Sequence, residues 1–459
     1  VDLGWRSQYV GIERLVLDGV TIYLVDNEYY FGDRIYRGGV PEGEQYAFFT
    51  RAVLDAIPNL GFFPDVLHCN DWHTAMLPML LRTQYGYYVH GKIKTLLTIH
   101  NIFYQGKFGF DFFRDLLRVE DRYFTPEFME LNGCAAFLKA GCVFADRLST
   151  VSPSYAEEIC TPYYGEGLDG ILSARRHQLS GILNGIDRKL FNPYTDPLIP
   201  KRYDRGHLKG KQACKEALMF EMGLQGGERA PLVAMVTRMT DQKGFDLVER
   251  VLDEMLDFDI RFLLLGSGAG EYEQFMREAE ARHRGRVCAY IGYNEELSHR
   301  VYAGADMLLM PSKFEPCGLS QMIAMRYGAL PIVRETGGLK DTVEPYNDFT
   351  GDGNGFTFDR YDAGLLLTFD IRRVRIGEIV ALQDANRLVL SVTNQVRHSY
   401  GTFSGAGAYG DNYRGTFGQR FAGGRVCTYH IVGCYGIAGS LRNFILETSV
   451  LQLKYSLLP

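Results

Sequence analysis

A chain of 459 residues exceeds one ordinary core, so its length predicts two domains of roughly 180 residues each. Its 46% hydrophobic and 23% charged residues describe a soluble globular protein. A net charge of −6 argues against a general nucleic-acid or membrane-surface binder, both of which favour basic faces. No apolar run approaches the roughly 18 residues that a membrane span requires. The chain opens with "VDLGW", without initiator Met, basic segment or apolar leader, so no targeting signal is visible. Nine cysteines, with no C-x-x-C pair, read as free thiols in a reducing compartment. The cytoplasm is therefore expected, or a plastid if a transit peptide has been lost.

Apolar β-rich runs alternate with segments of helical period along the chain. "VTIYLVD", "DVLHCN", "KTLLTIHN", "RLSTVS" and "LSGILNG" come first. "PLVAMVTR", "DIRFLLLG", "VCAYIGY", "DMLLMPS" and "LPIVRE" follow. Near-continuous apolar strands separated by helices indicate parallel sheets covered on both faces. "FDLVERVLDEML" places Phe245, Val248, Val251, Leu252 and Met255 on one helix face. Two such β/α sets predict an α/β chain of two doubly wound domains facing a cleft. The join is expected within Asn184 to Pro197, where Asn, Gly, Pro and Asp cluster. The expected domains are 1–183, 184–368 and a divergent tail, 369–459. Residues 401–440 hold eleven glycines without sustained period, and disorder is the expectation there.

Ligands of doubly wound sheets bind beyond the carboxyl ends of the strands, so those loops carry the candidates. "HCNDWHTAMLP" holds His68, Asp71 and His73. A metal site is one reading, but a strand turning into a helix aims these side chains in different directions. Asp71 either caps the helix or contacts a substrate. His100 and Asn101 follow "KTLLTI" directly, and a buried histidine satisfied by backbone is the competing reading. In "VTRMTDQKGFDL", Arg238 ends a strand and Lys243 precedes a helix. A rigid guanidinium fork and a compact ammonium beside a helix N-terminus suit a diphosphate without a bound cation. Two solvated surface cations are the alternative. Tyr293, after "AYIG", either stacks on a base or sugar or fills the core. Last, "DMLLMPSKFEPCGLSQMIAMRYG" sets Glu315 at a strand end and runs Cys317, Gly318, Leu319 and Ser320 into a helix, where backbone N–H groups would be free to donate. A solvated glutamate in a plain connector is the rival reading.

Taken together these segments resemble the bacterial glycogen synthase and plant starch synthase family. The matching runs include "YVGI", "VDNEYYF", "HCNDWHT", "TIHNIFYQGKFG", "ADRLSTVSPSYAEEI", "GILNGIDRKLFNP", "VTRMTDQKGFDL", "YAGADMLLMPSKFEPCGLSQMIAMRYGALPIVRETGGLKDTV" and "GNGFTFDRYDA", in family order over roughly residues 5 to 365. The resemblance implies a GT-B fold of two Rossmann-like domains. It implies transfer of glucose from ADP-glucose to the non-reducing end of an α-1,4-glucan (glycogen or starch), with retention of configuration and no metal or organic cofactor. Position by position, Arg238 and Lys243 would hold the diphosphate and stabilise departing ADP, where positive charge meets developing negative charge. His100, Asp71 and Asn101 would line the glucose pocket from the N-terminal domain. Glu315, Cys317, Gly318, Ser320 and Asn184 would belong to the sugar side of the C-terminal domain, with Tyr293 against adenine. Glu315, His100, Arg238 and Lys243 are the expected catalytic set. Sucrose synthases carry a second glutamate eight positions on, whereas this chain has Ile323, which favours the glycogen and starch branch. One candidate carboxylate does not suit a two-carboxylate double displacement, so same-face attack by the acceptor hydroxyl is expected.

Two departures accompany the resemblance. The family's opening Lys-x-Gly-Gly-Leu loop has no counterpart, so the N-terminal domain is expected to be incomplete. From "TFDIRRVRIGEIVALQDANR" onward the family's terminal helices are lost, as a shifted reading frame near Asp370 would produce. A catalytically impaired fragment that only binds nucleotide or glucan is therefore the alternative expectation. A phosphorylase is disfavoured, since no glycine-rich loop with a cofactor lysine is seen.

Overall fold

The computed structural model describes residues 1–32, 37–87, 89–226, 230–347, 349–367 and 431–433. The expected divergent tail lies outside the described residues except for Ile431–Gly433. The chain divides into two compact units: among the described residues the first is built on Val1–Val151, Ala156–Gly181 and Ile431–Gly433, and the second on Ser152–Tyr155 and 182–367. Among the described residues no helix is long and apolar enough to cross a membrane.

After a short antiparallel pair of Asp2–Leu3 with Arg6–Ser7, the first unit forms a hairpin of β1 (Gly11–Leu17) and β2 (Val20–Asp26), paired antiparallel from Leu17 opposite Val20. Val20–Asp26, grouped above with the parallel strands, is thus corrected to one arm of a hairpin. The physical reason is its turn. Asp18 and Gly19 both adopt positive φ, +50° and +81°, and such a two-residue turn reverses the chain where a parallel crossover would need a dozen residues. Ile431–Gly433 lies parallel to β2 on its other side.

Helix α1 (Gly39–Ala56) leads to the unit's main sheet of β3 (Val66–Asn70), β4 (Lys94–Ile99), β5 (Arg147–Thr150) and β6 (Leu179–Gly181). These four run parallel in the order β6-β5-β4-β3. Between them come α2 (Asp71–Thr74), α3 (Met76–Thr83), α4 (Phe110–Leu117) and α5 (Phe137–Phe144). Phe48 and Leu54 of α1, Met79 and Leu80 of α3 and Phe137 and Leu138 of α5 are fully buried, as are Leu97 and Ile99 of β4. Helices cover the strands, which explains their unbroken apolar composition.

The second unit holds α6 (Lys209–Glu221) and a six-stranded parallel sheet. Its elements are β7 (Leu232–Val236), α7 (Phe245–Leu256), β8 (Arg261–Gly266), α8 (Gly270–Arg282), β9 (Val287–Ile291), α9 (Glu295–Gly304), β10 (Met307–Met310), α10 (Ser320–Arg326), β11 (Leu330–Arg334), α11 (Gly337–Thr342) and β12 (Phe356–Phe358). The strand order is β9-β8-β7-β10-β11-β12, which is 3-2-1-4-5-6 within the unit. Phe245, Val248, Val251, Leu252 and Met255 of α7 all enter the core against Val233, Met235, Phe262 and Leu264. Each such side chain contributes roughly 1.5–3 kcal/mol on leaving water. In this order the crossovers change direction between β7 and β10, and in doubly wound sheets the crevice past the carboxyl ends at such a point is the usual place for a ligand.

Candidate active site

At that switch point the loop after β7 meets the loop after β10. Gly244 makes the approach possible: its φ is +77°, and a Cβ there would lie 2.2 Å from the carbonyl oxygen of Pro311. The N–H of Lys313 donates to the carbonyl of Gln242 at 2.9 Å, which fixes the two loops together. Lys243 and Glu315 are thereby brought into contact, Nζ to Oε2 at 2.7 Å, with exposures of only 6% and 3%. Ser312 Oγ also donates to Glu315 Oε2, at 3.1 Å. Neither residue is therefore the solvated surface group that was the rival reading. Two charges so deeply removed from water hold only because they meet each other and further hydrogen-bonding groups.

The same β7 loop leaves buried polar atoms without a partner: Nε of Arg238, Oγ1 of Thr240 and Nε2 of Gln242. An unmet buried polar group costs roughly 1–3 kcal/mol, so three along one five-residue turn call for an explanation beyond folding. A ligand rich in acceptor oxygens would supply it.

Cys317 is buried, and burial pushes its thiol up to about 12 while the backbone N–H of Asn184 partly opposes the shift. Such a thiol is a packed apolar group and no nucleophile. Gly318 follows at φ +71°, a conformation that suits glycine. Ser320 opens α10, and its Oγ accepts a hydrogen bond from Tyr302 at 3.2 Å. The turn of Gly337 and Gly338 packs onto this loop so closely that a Cβ on Gly338 would stand 2.1 Å from the Cys317 carbonyl oxygen. Tyr293 is 69% exposed beyond the end of β9. It is not a core aromatic, and its ring offers a stacking face.

The first unit has its own polar cluster where β3 and β4 end side by side. Asp71 adopts φ +53°, a left-handed conformation that aspartate tolerates better than most residues. Its Oδ1 accepts the N–H groups of His100 at 2.7 Å and Asn101 at 3.3 Å. Asp71 thus reaches sideways to the neighbouring strand's loop, and among the described contacts no bond of its carboxylate caps its own helix. His100 Nε2 meets Asn70 Oδ1 at 2.9 Å, while His100 Nδ1 and Asn101 Nδ2 are buried without partners. His100 is therefore only partly satisfied by the protein. His68 turns to Thr98 at 2.7 Å, and the His73 ring meets Tyr46 edge-on and Trp72 at a tilt, each with ring centres 4.5 Å apart. The side chains of "HCNDWH" part in different directions, and among the described residues no group of three or more His, Cys, Asp or Glu is placed to hold a metal.

Ser312, Thr240, Gln242 and Arg334 were missed in the sequence. Their composition is unremarkable for loops and strand ends. Only the placement of Ser312 three residues before Glu315 gave a local signal, since that spacing lets a hydroxyl reach back to a nearby side chain.

The family pattern described as Starch synthase catalytic domain matches residues 1–174, and that described as Glycosyl transferases group 1 matches 223–367. The chain is 51% identical over 374 residues to a glycogen synthase of Geobacillus thermodenitrificans, covering 81% of this chain and 77% of that protein. It is 50% identical over the same length to a glycogen synthase of Geobacillus stearothermophilus, with the same coverage. Its fold is similar to the catalytic domain of starch synthase IV from Arabidopsis thaliana bound to ADP and acarbose, with TM-score 0.77 and 30% identity over 84% of this chain and 83% of that one. Fold and sequence together define a glycosyltransferase of the GT-B class. Within that class, the chain belongs to the glycogen synthase family.

Proposed function

We propose that this chain transfers glucose from ADP-glucose to the non-reducing end of an α-1,4-glucan, with retention of configuration, in the cytoplasm. The observation that carries the reading is the buried pair of Lys243 and Glu315 at the sheet's switch point, together with the unpartnered Nε of Arg238 in the same loop as Lys243. Arg238 and Lys243 take the donor's diphosphate, with Thr240 Oγ1 and Gln242 Nε2 donating to its remaining oxygens. As the glycosidic bond to phosphate breaks, both cations face the charge that builds on ADP. Glu315 orients the glucosyl group, supported by the backbone around Cys317 and Gly318, and Asn184 and Ser320 hold that loop. Tyr293 stacks on the adenine. His100 and Asn101 give their open nitrogens to sugar hydroxyls, and Asp71 fixes the backbone that presents them. The ADP bound in the starch synthase IV structure supports an adenine nucleotide as donor.

Incubation of the chain with radiolabelled ADP-glucose and glycogen primer tests this reading. Label entering polymer is expected, at a higher rate than from UDP-glucose. Binding of nucleotide or glucan without polymer growth would replace the reading with that of a non-catalytic member of the family.

A further inference from the structure

Arg334 is the last residue of β11 and is buried, yet none of the roles assigned above falls to it. Its Nε donates to the carbonyl of Ser312 at 2.8 Å, and one terminal nitrogen donates to the carbonyl of Lys313. The other reaches the carbonyl of Asp359 at 3.3 Å, and the guanidinium lies 5.8 Å from the centre of the Tyr361 ring. A buried cation thus grips two successive carbonyls of the loop that carries Glu315. Ser312, held by its backbone, turns its hydroxyl to the Glu315 carboxylate at 3.1 Å. The N–H of Gly338 closes the loop from the other end by donating to the Glu315 carbonyl at 3.1 Å.

From this relay we infer that Arg334 is a positioning residue for transfer, acting through Ser312 on the orientation of Glu315. The inference rests on the reading of Glu315 given above. A planar fork fixes two carbonyls at once in a way that an ammonium cannot, so geometry and not charge is what Arg334 supplies. Displacing a reacting group by a fraction of an ångström to one ångström slows chemistry by up to a hundredfold, with little change in ground-state binding.

Steady-state transfer from ADP-glucose to glycogen by the full chain tests this with Arg334→Lys, Ser312→Ala and the double variant, each normalised to its stoichiometry of ADP binding. Arg334→Lys is expected to lower kcat by roughly ten- to a hundredfold with KM for ADP-glucose within about threefold. Ser312→Ala is expected to lower kcat by a smaller factor, and the double variant to be no slower than Arg334→Lys, since both break one relay. A purely structural arginine would lower the folded fraction and leave kcat per ADP-binding site unchanged, which would overturn the inference. Should Arg334→Lys fail to fold, a wild-type kcat for Ser312→Ala would overturn it equally. An inactive wild type would remove the functional reading and this inference together, whereas an active wild type with an unimpaired Arg334→Lys removes the inference alone.

Discussion

Lys243 Nζ and Glu315 Oε2 lie 2.7 Å apart, buried, between two loops that the sequence separates by more than seventy residues. The sequence assigned these groups to different parts of a donor, the diphosphate and the sugar. In the structure each is the other's partner. A diphosphate that reaches Lys243 therefore does not meet a naked cation; it competes with, or joins, a carboxylate already in place.

Breaking this pair from one side leaves a buried charge uncompensated. Lys243→Met is expected to destabilise the second unit by about 3–5 kcal/mol, whereas Lys243→Met combined with Glu315→Leu is expected to recover most of that loss. Guanidinium unfolding of single and double variants measures the difference. Equal destabilisation in both would show that the pair itself holds the loops.

Gly338 has no donor role of its own, yet a Cβ there would collide with the Cys317 carbonyl oxygen at 2.1 Å. Backbone on both sides leaves no flexible side chain to yield. Gly338→Ala is expected to lower transfer at least tenfold and the second unit's stability by about 1–3 kcal/mol, the range for overpacking. Activity and unfolding of one preparation check both, and wild-type behaviour would refute the packing argument.

His73 gives the first unit an acid-sensitive element. Burial is the main cause of its pKa falling from the usual 6.5 to about 4; the His100 ring adds to this and the Asp71 carboxylate opposes it. Folding therefore holds the ring neutral across a window in which the unfolded chain takes up a proton. Stability is full above about 6.5 and is lost as pH falls from there towards 4. Between pH 7 and pH 5 the loss from this residue is expected to be about 2 kcal/mol. His73→Gln should flatten that part of the profile, as followed by fluorescence of Trp72, whose ring centre lies 4.5 Å from that of His73. An unchanged slope would reassign the acid sensitivity to other groups.

The parallel strands were legible because each reads as a short apolar run, and the rule that ligands meet strand ends then selected His100, Arg238, Lys243 and Glu315. The hairpin was not recognised, because "VTIYLVD" has the same apolar texture as a buried parallel strand; the signal that separates them is the Asp18-Gly19 turn before it. Pairings such as Lys243 with Glu315, or Arg334 with the carbonyls of Ser312 and Lys313, depend on how loops of distant strands approach. No local pattern encodes them. The left-handed Asp71 was hidden for a similar reason: its conformation is set by the amides it accepts from the next strand.

The most direct test sets transfer against binding in one variant. ADP titration calorimetry and glucose incorporation from ADP-glucose into glycogen are measured on the wild type and on Glu315→Gln, which keeps the side chain's shape and removes its charge. The expected result is loss of nearly all transfer with ADP affinity close to that of the wild type. Equal loss of both, or retention of both, would contradict the division of labour between Glu315 and the cations beside it.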